Sequence, residues 1–249
     1  MKLLRYEWDS DGANYVLQMI HVEGTRGDPY SFGEGVDLSD VEVPDFFIAT
    51  VPVTQALWTQ VYEADSNPAL NLGPDLPLEN IAWDQIVQPD GFLDRINASS
   101  IHTAMLAQLA GPGCVFRLPS ETEWEYAARG GPHWRDGFRF SGSNEIDAVA
   151  WYGRRDGHTH PVASKAPNQL GLYDMSGNVW EWCQDSYTDV VTQIPRDGSA
   201  HRNSNPERVL RGGCFHNWAI HCTVSKRYQI GCDSHDGCIG LRLVLAVVA

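Results

Sequence analysis

A single α+β domain with little regular secondary structure is the fold class the sequence predicts, and three observations carry that expectation. The 249 residues are enough to bury a sizeable core yet stay within what one large domain occupies. Hydrophobic residues make up 43% of the chain and include nine Trp and nine Tyr, which argues for a folded globule. Against that, 23 Gly and 14 Pro argue for many turns and long, ordered loops. The chain shows no internal repeat and no low-complexity linker, so one domain spanning residues 1–249 is expected.

Taken in order, residues 1–40 read as a polar lead-in, with a strand expected over 15–21 and a Gly- and Asp-rich loop over 24–35. The apolar run at 46–51 predicts another strand. Thr54 is placed to cap a helix from Gln55 to about Ala64, with Leu57, Trp58 and Val61 at helical spacing and Asn67-Pro68 beyond its end. Helical periodicity recurs at 81–83 and at 92–109, the latter closed by the Gly-Pro-Gly of 111–113. A short strand follows at 115–118. Ser120 and Glu123 form a capping box and Gly130 supplies a stop, which predicts a short helix between them. Its acids Glu121, Glu123 and Glu125 suit the positive end of a helix dipole and need no catalytic role. Residues 131–167 read as loop anchored by Trp134, Trp151 and Tyr152, in which His158 and His160 do not share a helical face and are read as loop residues. Short strands are expected at 208–213 and, buried, at 239–246.

Charge narrows the function classes. Lys and Arg number 18 against 32 Asp and Glu, a formal charge of −14, which repels nucleic-acid backbones and anionic membrane surfaces. The N-terminal residues lack the apolar core of a secretion signal and no run approaches membrane-spanning length, so a cytoplasmic, monomeric protein without nucleic-acid or membrane partners is expected. Six cysteines are even in number, but a chain of this length needs no disulfide framework.

The string GLYDMSGNVWEWCQD at 171–185 combines turn glycines, oxygen ligands and two tryptophans. Asp174 and Glu181 offer carboxylates, Gly177 and Asn178 suit a tight turn with exposed carbonyls, and Trp180 and Trp182 fall two apart, as same-face strand residues do. Such a corner suits either a hard cation such as Ca²⁺ or a tryptophan-pinned turn with solvated acids.

Four blocks then occur in order: RLPSETEWEYAARGG at 117–131, the 171–185 string, RVLRGG at 208–213, and GLRL at 240–243. Together with a weaker stretch over 43–83 that includes Val53-Thr54 and Asn67-Pro68, they resemble the formylglycine-generating enzyme family over roughly residues 40–246. The resemblance implies a C-type-lectin-like α+β fold. It also implies a structural Ca²⁺ on oxygens of Asp174, Gly177, Val179 and Glu181. The family's oxidases use two cysteines after the Arg-Gly-Gly block, which bind Cu⁺ and help convert a substrate cysteine, with O₂, into formylglycine. Counting from Gly213, the distal position is Cys222 and the proximal one is Asn217. Soft Cu⁺ prefers thiolates and Asn is a hard donor, so the pair is broken unless Cys214 or Cys183 lies beside Cys222. Cys222 is therefore read as structural, and an oxidase acting through it is the alternative.

Residues 214–238 show no clean period of 2 or 3.6 and scatter Phe, His, Ile, Tyr, Cys, Ser and Gly between intact blocks. This resembles the variable proteins of diversity-generating retroelements, in which a formylglycine-enzyme-type lectin fold carries a mutated stretch near the C-terminus. A kept scaffold with a freely changing loop is where recognition is placed. The expectation is a non-catalytic binding protein for a protein or surface ligand. Phe215, Trp218, Ile220 and Tyr228 are expected as apolar anchors, and His216, Asn217, His221, Thr223, Ser225, Ser234 and His235 as adaptable hydrogen-bonding groups. Ile230, Cys232, Gly237 and Cys238 complete the expected surface. Cys232, His235 and Cys238 also suggest a zinc site, with His216 or His221 supplying a further ligand.

Overall fold

The computed structural model describes residues 2–10, 12–62, 66–109, 113–153 and 157–247. Strands β1 (Leu3–Ser10), β2 (Ala13–Val22) and β5 (Phe46–Ala49) join the C-terminal β11 (Val244–Val247) and β6 (Cys114–Arg117) in an antiparallel sheet of order β1-β2-β5-β11-β6. A four-stranded sheet has the order β10-β7-β8-β9, from β10 (Ile239–Leu241), β7 (Trp180–Ser186), β8 (Glu207–Arg211) and β9 (Arg227–Gly231). A small hairpin pairs β3 (Tyr30–Glu34) with β4 (Asp37–Val41).

Period-2 alternation divides the side chains of the larger sheet between two cores. Met19, Phe47 and Leu245 enter one, while their neighbours Ile20, Ile48 and Val244 enter the other. The first core is covered by the short helices α1 (Gln55–Val61), α2 (Trp83–Val87), α3 (Phe92–Asn97) and α4 (Ser100–Ala107), and it also takes Trp180, Trp182, Leu210 and Leu241 from the smaller sheet. The second is built around Trp124 and Tyr126 of α5 (Glu121–Ala128), Tyr30, Phe32 and Val209. A short helix α6 (Ile146–Val149) sits in the long loop region. Among the described residues no helix is long and apolar enough to cross a membrane.

Several expectations change at the level of elements. The polar lead-in is a strand, because Leu4 and Trp8 face inward among polar neighbours, and the loop expected over 24–35 contributes β3. Thr54 caps α1 as expected, its hydroxyl accepting the Leu57 amide at 3.2 Å, but the helix ends at Tyr62; Ala64 lies outside the described residues. The stretch 92–109 is two helices. Asn97, the last residue of α3, bonds Phe116 of β6 through both ends of its side-chain amide, at 2.9 and 2.8 Å, and Ser99 caps the second helix. Gly111 and Pro112 of its expected stop lie outside the described residues. The single strand expected at 239–246 is divided: β10 runs parallel to β7, then Arg242 and Leu243 carry the chain into the other sheet as β11.

Helix α5 has the expected capping box, with Glu123 accepting the Ser120 amide at 2.8 Å and Ser120 accepting the Glu123 amide at 3.2 Å. Its acids are not solvated, however. Glu121, Glu123 and Glu125 are fully buried and paired with arginines, Glu123 with the nearby Arg117 and the other two with Arg211 and Arg227 from far along the chain. Arg211 reaches Glu121 at 2.9 Å and Glu125 at 2.5 Å, Arg227 grips Glu121 with two bonds of 2.7 Å, and Arg117 grips Glu123 at 2.6 and 2.7 Å. Burial works to raise the Glu125 carboxyl, yet the charges of Arg211 and Arg129 hold it below the usual carboxylate range.

Candidate ligand-binding surface

The segment after β8 leaves from a rigid root. Gly212 and Gly213 adopt φ of 96° and 73°, and a Cβ on Gly213 would stand 2.7 Å from both the Cys222 sulfur and the His221 carbonyl. Arg211, just before them, is fully buried and also donates to the Val224 carbonyl at 2.6 Å, tying the root to the middle of the segment. Asn217 closes the first turn: its side-chain oxygen accepts the Cys214 amide at 3.1 Å, and its carbonyl accepts the Gly153 amide at 2.7 Å. A 3-10 turn at Ala219–His221 follows, then β9 at the edge of the smaller sheet.

This frame sorts the expected contact residues by burial. Trp218, Ile220 and Tyr228 are 69%, 61% and 49% exposed, and His216 and His235 are exposed as well. The Tyr228 ring stacks at 5.5 Å on Trp180 of the scaffold, which fixes its outward pose. Asn217, His221, Ile230, Cys232, Ser234 and Gly237 are half-buried. Phe215, Thr223, Ser225 and Cys238 are buried and drop out of the outward-facing set. Phe215 belongs to the first core, and the Ser225 hydroxyl donates inward to Glu34 at 2.8 Å. Leu70, 68% exposed, joins the surface unforeseen and lines one cleft with Phe215, His216 and Asp236. It comes from the Pro-rich loop after α1, and no local pattern connects it to residues 214–238.

Asn217 stands at the proximal position of the family's cysteine pair, and Cys214, the possible substitute, neighbours Cys222. Asn217 turns its side-chain oxygen to the Cys214 thiol at 3.2 Å. Cys222 is wholly buried, its thiol pushed up to about 12 by desolvation and by the neighbouring Cys214, so it is protonated at neutral pH. Cys183 sits in the second core among the buried acids of α5, where desolvation raises its thiol as well, and it does not replace the missing ligand.

The oxygen-rich corner at 171–185 is also committed. Asp174 and Asn178 take positive φ of 57° and 62° around Gly177, as the turn reading requires. Glu181, however, accepts Arg242 through both oxygens at 2.8 to 3.1 Å and the Trp124 indole at 2.6 Å. Arg242 is fully buried and spends its other bonds on the carbonyls of Ala49 and Tyr173. Within the donor set of Asp174, Gly177, Val179 and Glu181, the Arg242 guanidinium therefore competes with Ca²⁺ for the Glu181 carboxylate. Asp174, buried beside Glu181, has its carboxyl pushed up to about 6, chiefly by desolvation.

The histidines expected to join a zinc site separate. His235 bonds Asn80 at 2.8 Å, whereas His216 lies against Cys214, with 3.7 Å between Nδ1 and Sγ. His158 and His160 remain in the loop, where His160 stacks on Trp151 at 3.9 Å.

With this geometry in view, the relatives of the chain can be placed. The model of the sulfatase-modifying factor enzyme 1-like domain matches residues 14–247. The chain belongs to this FGE-sulfatase family. The domain is 31% identical over 212 residues to the chaperone protein LppX of Paenibacillus barcinonensis, covering 70% of each chain. It is 36% identical over 148 residues to the formylglycine-generating enzyme of Streptomyces coelicolor, covering 51% of this chain and 45% of that enzyme. Among solved structures it is similar to Treponema denticola variable protein 1, with a TM-score of 0.78, 26% identity, and 96% and 98% of the two chains covered. PvdO from Pseudomonas aeruginosa shares the fold, with a TM-score of 0.73 and 23% identity over 92% of this chain and 94% of that one. The C-type-lectin-like α+β fold implied by the motifs is thus the fold of this FGE-sulfatase domain, and the likeness to Treponema denticola variable protein 1 extends over nearly the whole chain.

Proposed function

We propose that this FGE-sulfatase domain is a non-catalytic binding protein whose recognition surface is the exposed part of residues 216–235. The observation that carries the reading is the exposure of Trp218, Ile220 and Tyr228 on a segment whose root and backbone are held by buried charge. Scattered single apolar residues need no explanation, but three large ones in one short segment do. Such side chains contribute large buried area at small entropic cost when a partner covers them. The favoured partner is a protein with a basic face, because the domain carries a formal charge of −14. The similarity to a variable protein, and to a relative named as a chaperone, supports a protein partner. The reading also holds that residues 214–238 are diversified in the manner of a retroelement target. The neighbouring DNA should then carry a near-identical template repeat, with adenines where this gene differs, beside a reverse transcriptase; a locus without either contradicts the diversification.

The relatives named as formylglycine-generating enzymes favour a second reading, a Cu⁺- and O₂-dependent oxidase acting through Cys222. The two separate on one experiment. Incubated with Cu⁺, reductant, O₂ and a cysteine-containing peptide, the wild-type chain is expected to form no formylglycine, and Cys222→Ser is expected to bind its partner as wild type does. Formylglycine formation that disappears in Cys222→Ser would overturn the binding reading.

A further inference from the structure

Two thiols and an imidazole meet where the exposed segment begins and ends. The Cys214 and Cys238 Sγ atoms and a ring nitrogen of His216 all lie within 4.8 Å of one another, and Cys214 Sγ is 3.7 Å from His216 Nδ1. Zinc with bonds of about 2.3 Å to sulfur and 2.0 Å to nitrogen sets tetrahedral ligands roughly 3.5 to 3.8 Å apart, so small side-chain rotations suffice to close the set. The backbone holds both thiols firmly. Cys214 follows the Gly212-Gly213 corner and its amide is fixed by Asn217; the Cys238 carbonyl accepts the Trp180 amide at 2.8 Å as β10 begins. Both cysteines are free and buried, and His216 is exposed.

Acidic groups stand near the two thiols. Asp236 accepts the Cys238 amide at 3.1 Å and its carboxylate acts on the Cys238 thiol. Glu79 is fully buried, and its Oε2, which has no hydrogen-bond partner among the described residues, lies 3.5 Å from where a Cβ on Gly237 would stand. An unpartnered buried carboxylate oxygen is costly unless a cation offsets it nearby. On the solvent side a cleft of about 520 Å³, lined in part by Phe215, His216 and Asp236, leaves room for a fourth ligand from water or from a bound partner.

We propose that Cys214, His216 and Cys238 form a three-ligand site for a thiophilic d¹⁰ cation, Zn²⁺, whose fourth position opens onto this cleft. The ligand set differs from the Cys222 position of the oxidases, and of the set suggested by the sequence it keeps Cys238 and His216 while Cys214 takes the place of Cys232 and His235. On binding, each thiol releases its proton to solvent and becomes a thiolate ligand, and the neutral imidazole donates through Nδ1. The cation clips Cys214 to Cys238 across the recognition segment, so it fixes the ends of that segment while leaving Trp218, Ile220 and Tyr228 outside. This site stands independently of the binding function.

The test uses the full reduced chain, stripped of metal and titrated with Zn²⁺ against a chromogenic chelator, with Co²⁺ as a spectroscopic probe. One equivalent of Zn²⁺ is expected to bind and raise the melting temperature, and Co²⁺ should give thiolate charge-transfer bands. Cys214→Ser and Cys238→Ser should abolish those bands. His216→Ala, at an exposed position that threatens no packing, should weaken Zn²⁺ binding by roughly tenfold or more. Cys222→Ser and Cys232→Ser should leave it unchanged. Absence of Zn²⁺ binding at micromolar concentrations overturns the assignment. So does binding that survives His216→Ala at full strength, or Cu⁺ binding without Zn²⁺ binding.

Discussion

Arg242 decides the character of the corner at 171–185. Its guanidinium occupies both oxygens of Glu181 in a fully buried ion pair, and removing one member of such a pair leaves an uncompensated charge. Arg242→Met is therefore expected to cost about 3 to 5 kcal/mol in denaturant unfolding. The same account expects calcium addition or chelation to leave the wild-type melting temperature unmoved. The carboxylates of this corner were legible in the sequence because they lie within one short string. Their counter-ion was not, since it arrives from the crossing between β10 and β11, 61 residues after Glu181. A second residue carries a pH signature. Desolvation, reinforced by Glu121, pushes the buried Asp185 carboxyl up to about 8 from an unperturbed 3.8. Because the folded-state value is raised, the folded form binds this proton more tightly than the unfolded chain does. Asp185 thus contributes stability that is complete below about pH 4 and is lost as pH rises to about 8. Thermal melts across that window should show a declining stability whose slope is reduced in Asp185→Asn.

At the scale of elements, local chemistry was a good guide to starts and a poor one to surroundings. The capping box of α5 is a matter of residues 120 and 123 alone, and it forms as expected. Ser120 also donates to the Gly198 carbonyl at 2.7 Å, so Ser120→Ala is expected to cost about 1 to 2 kcal/mol, measured by chemical denaturation. That Glu121 and Glu125 are buried could not be read from the helix, because their partners Arg211 and Arg227 come from β8 and β9. Likewise α3 ends at Asn97, which bonds Phe116 across to β6, and the division of the last strand depends on two different sheets receiving its halves. Periodicity reports which face is apolar, and it does not report which neighbour waits on that face.

At the scale of the molecule, the fold of an FGE-sulfatase domain is kept by buried ion pairs and two hydrophobic cores, while the segment after Gly213 presents its larger side chains outward. The motifs made the scaffold legible, and the departure from them made the candidate surface legible as an interval. Which residues of that interval face solvent was not legible, since its sequence shows no period even where β9 forms; Phe215 and Thr223 turned inward and Leu70 joined from elsewhere. The central claim is that recognition and stability are carried by different residues. It is tested most directly by combining Trp218→Ala, Ile220→Ala and Tyr228→Ala in one chain. Wild type and variant are compared for capture of a partner from extracts of the native host and its neighbours, with melting temperatures measured on the same preparations. The account predicts that a protein captured reproducibly by the wild type is lost from the variant while the melting temperature holds; equal capture by both chains, or a collapse of the fold in the variant, would contradict it.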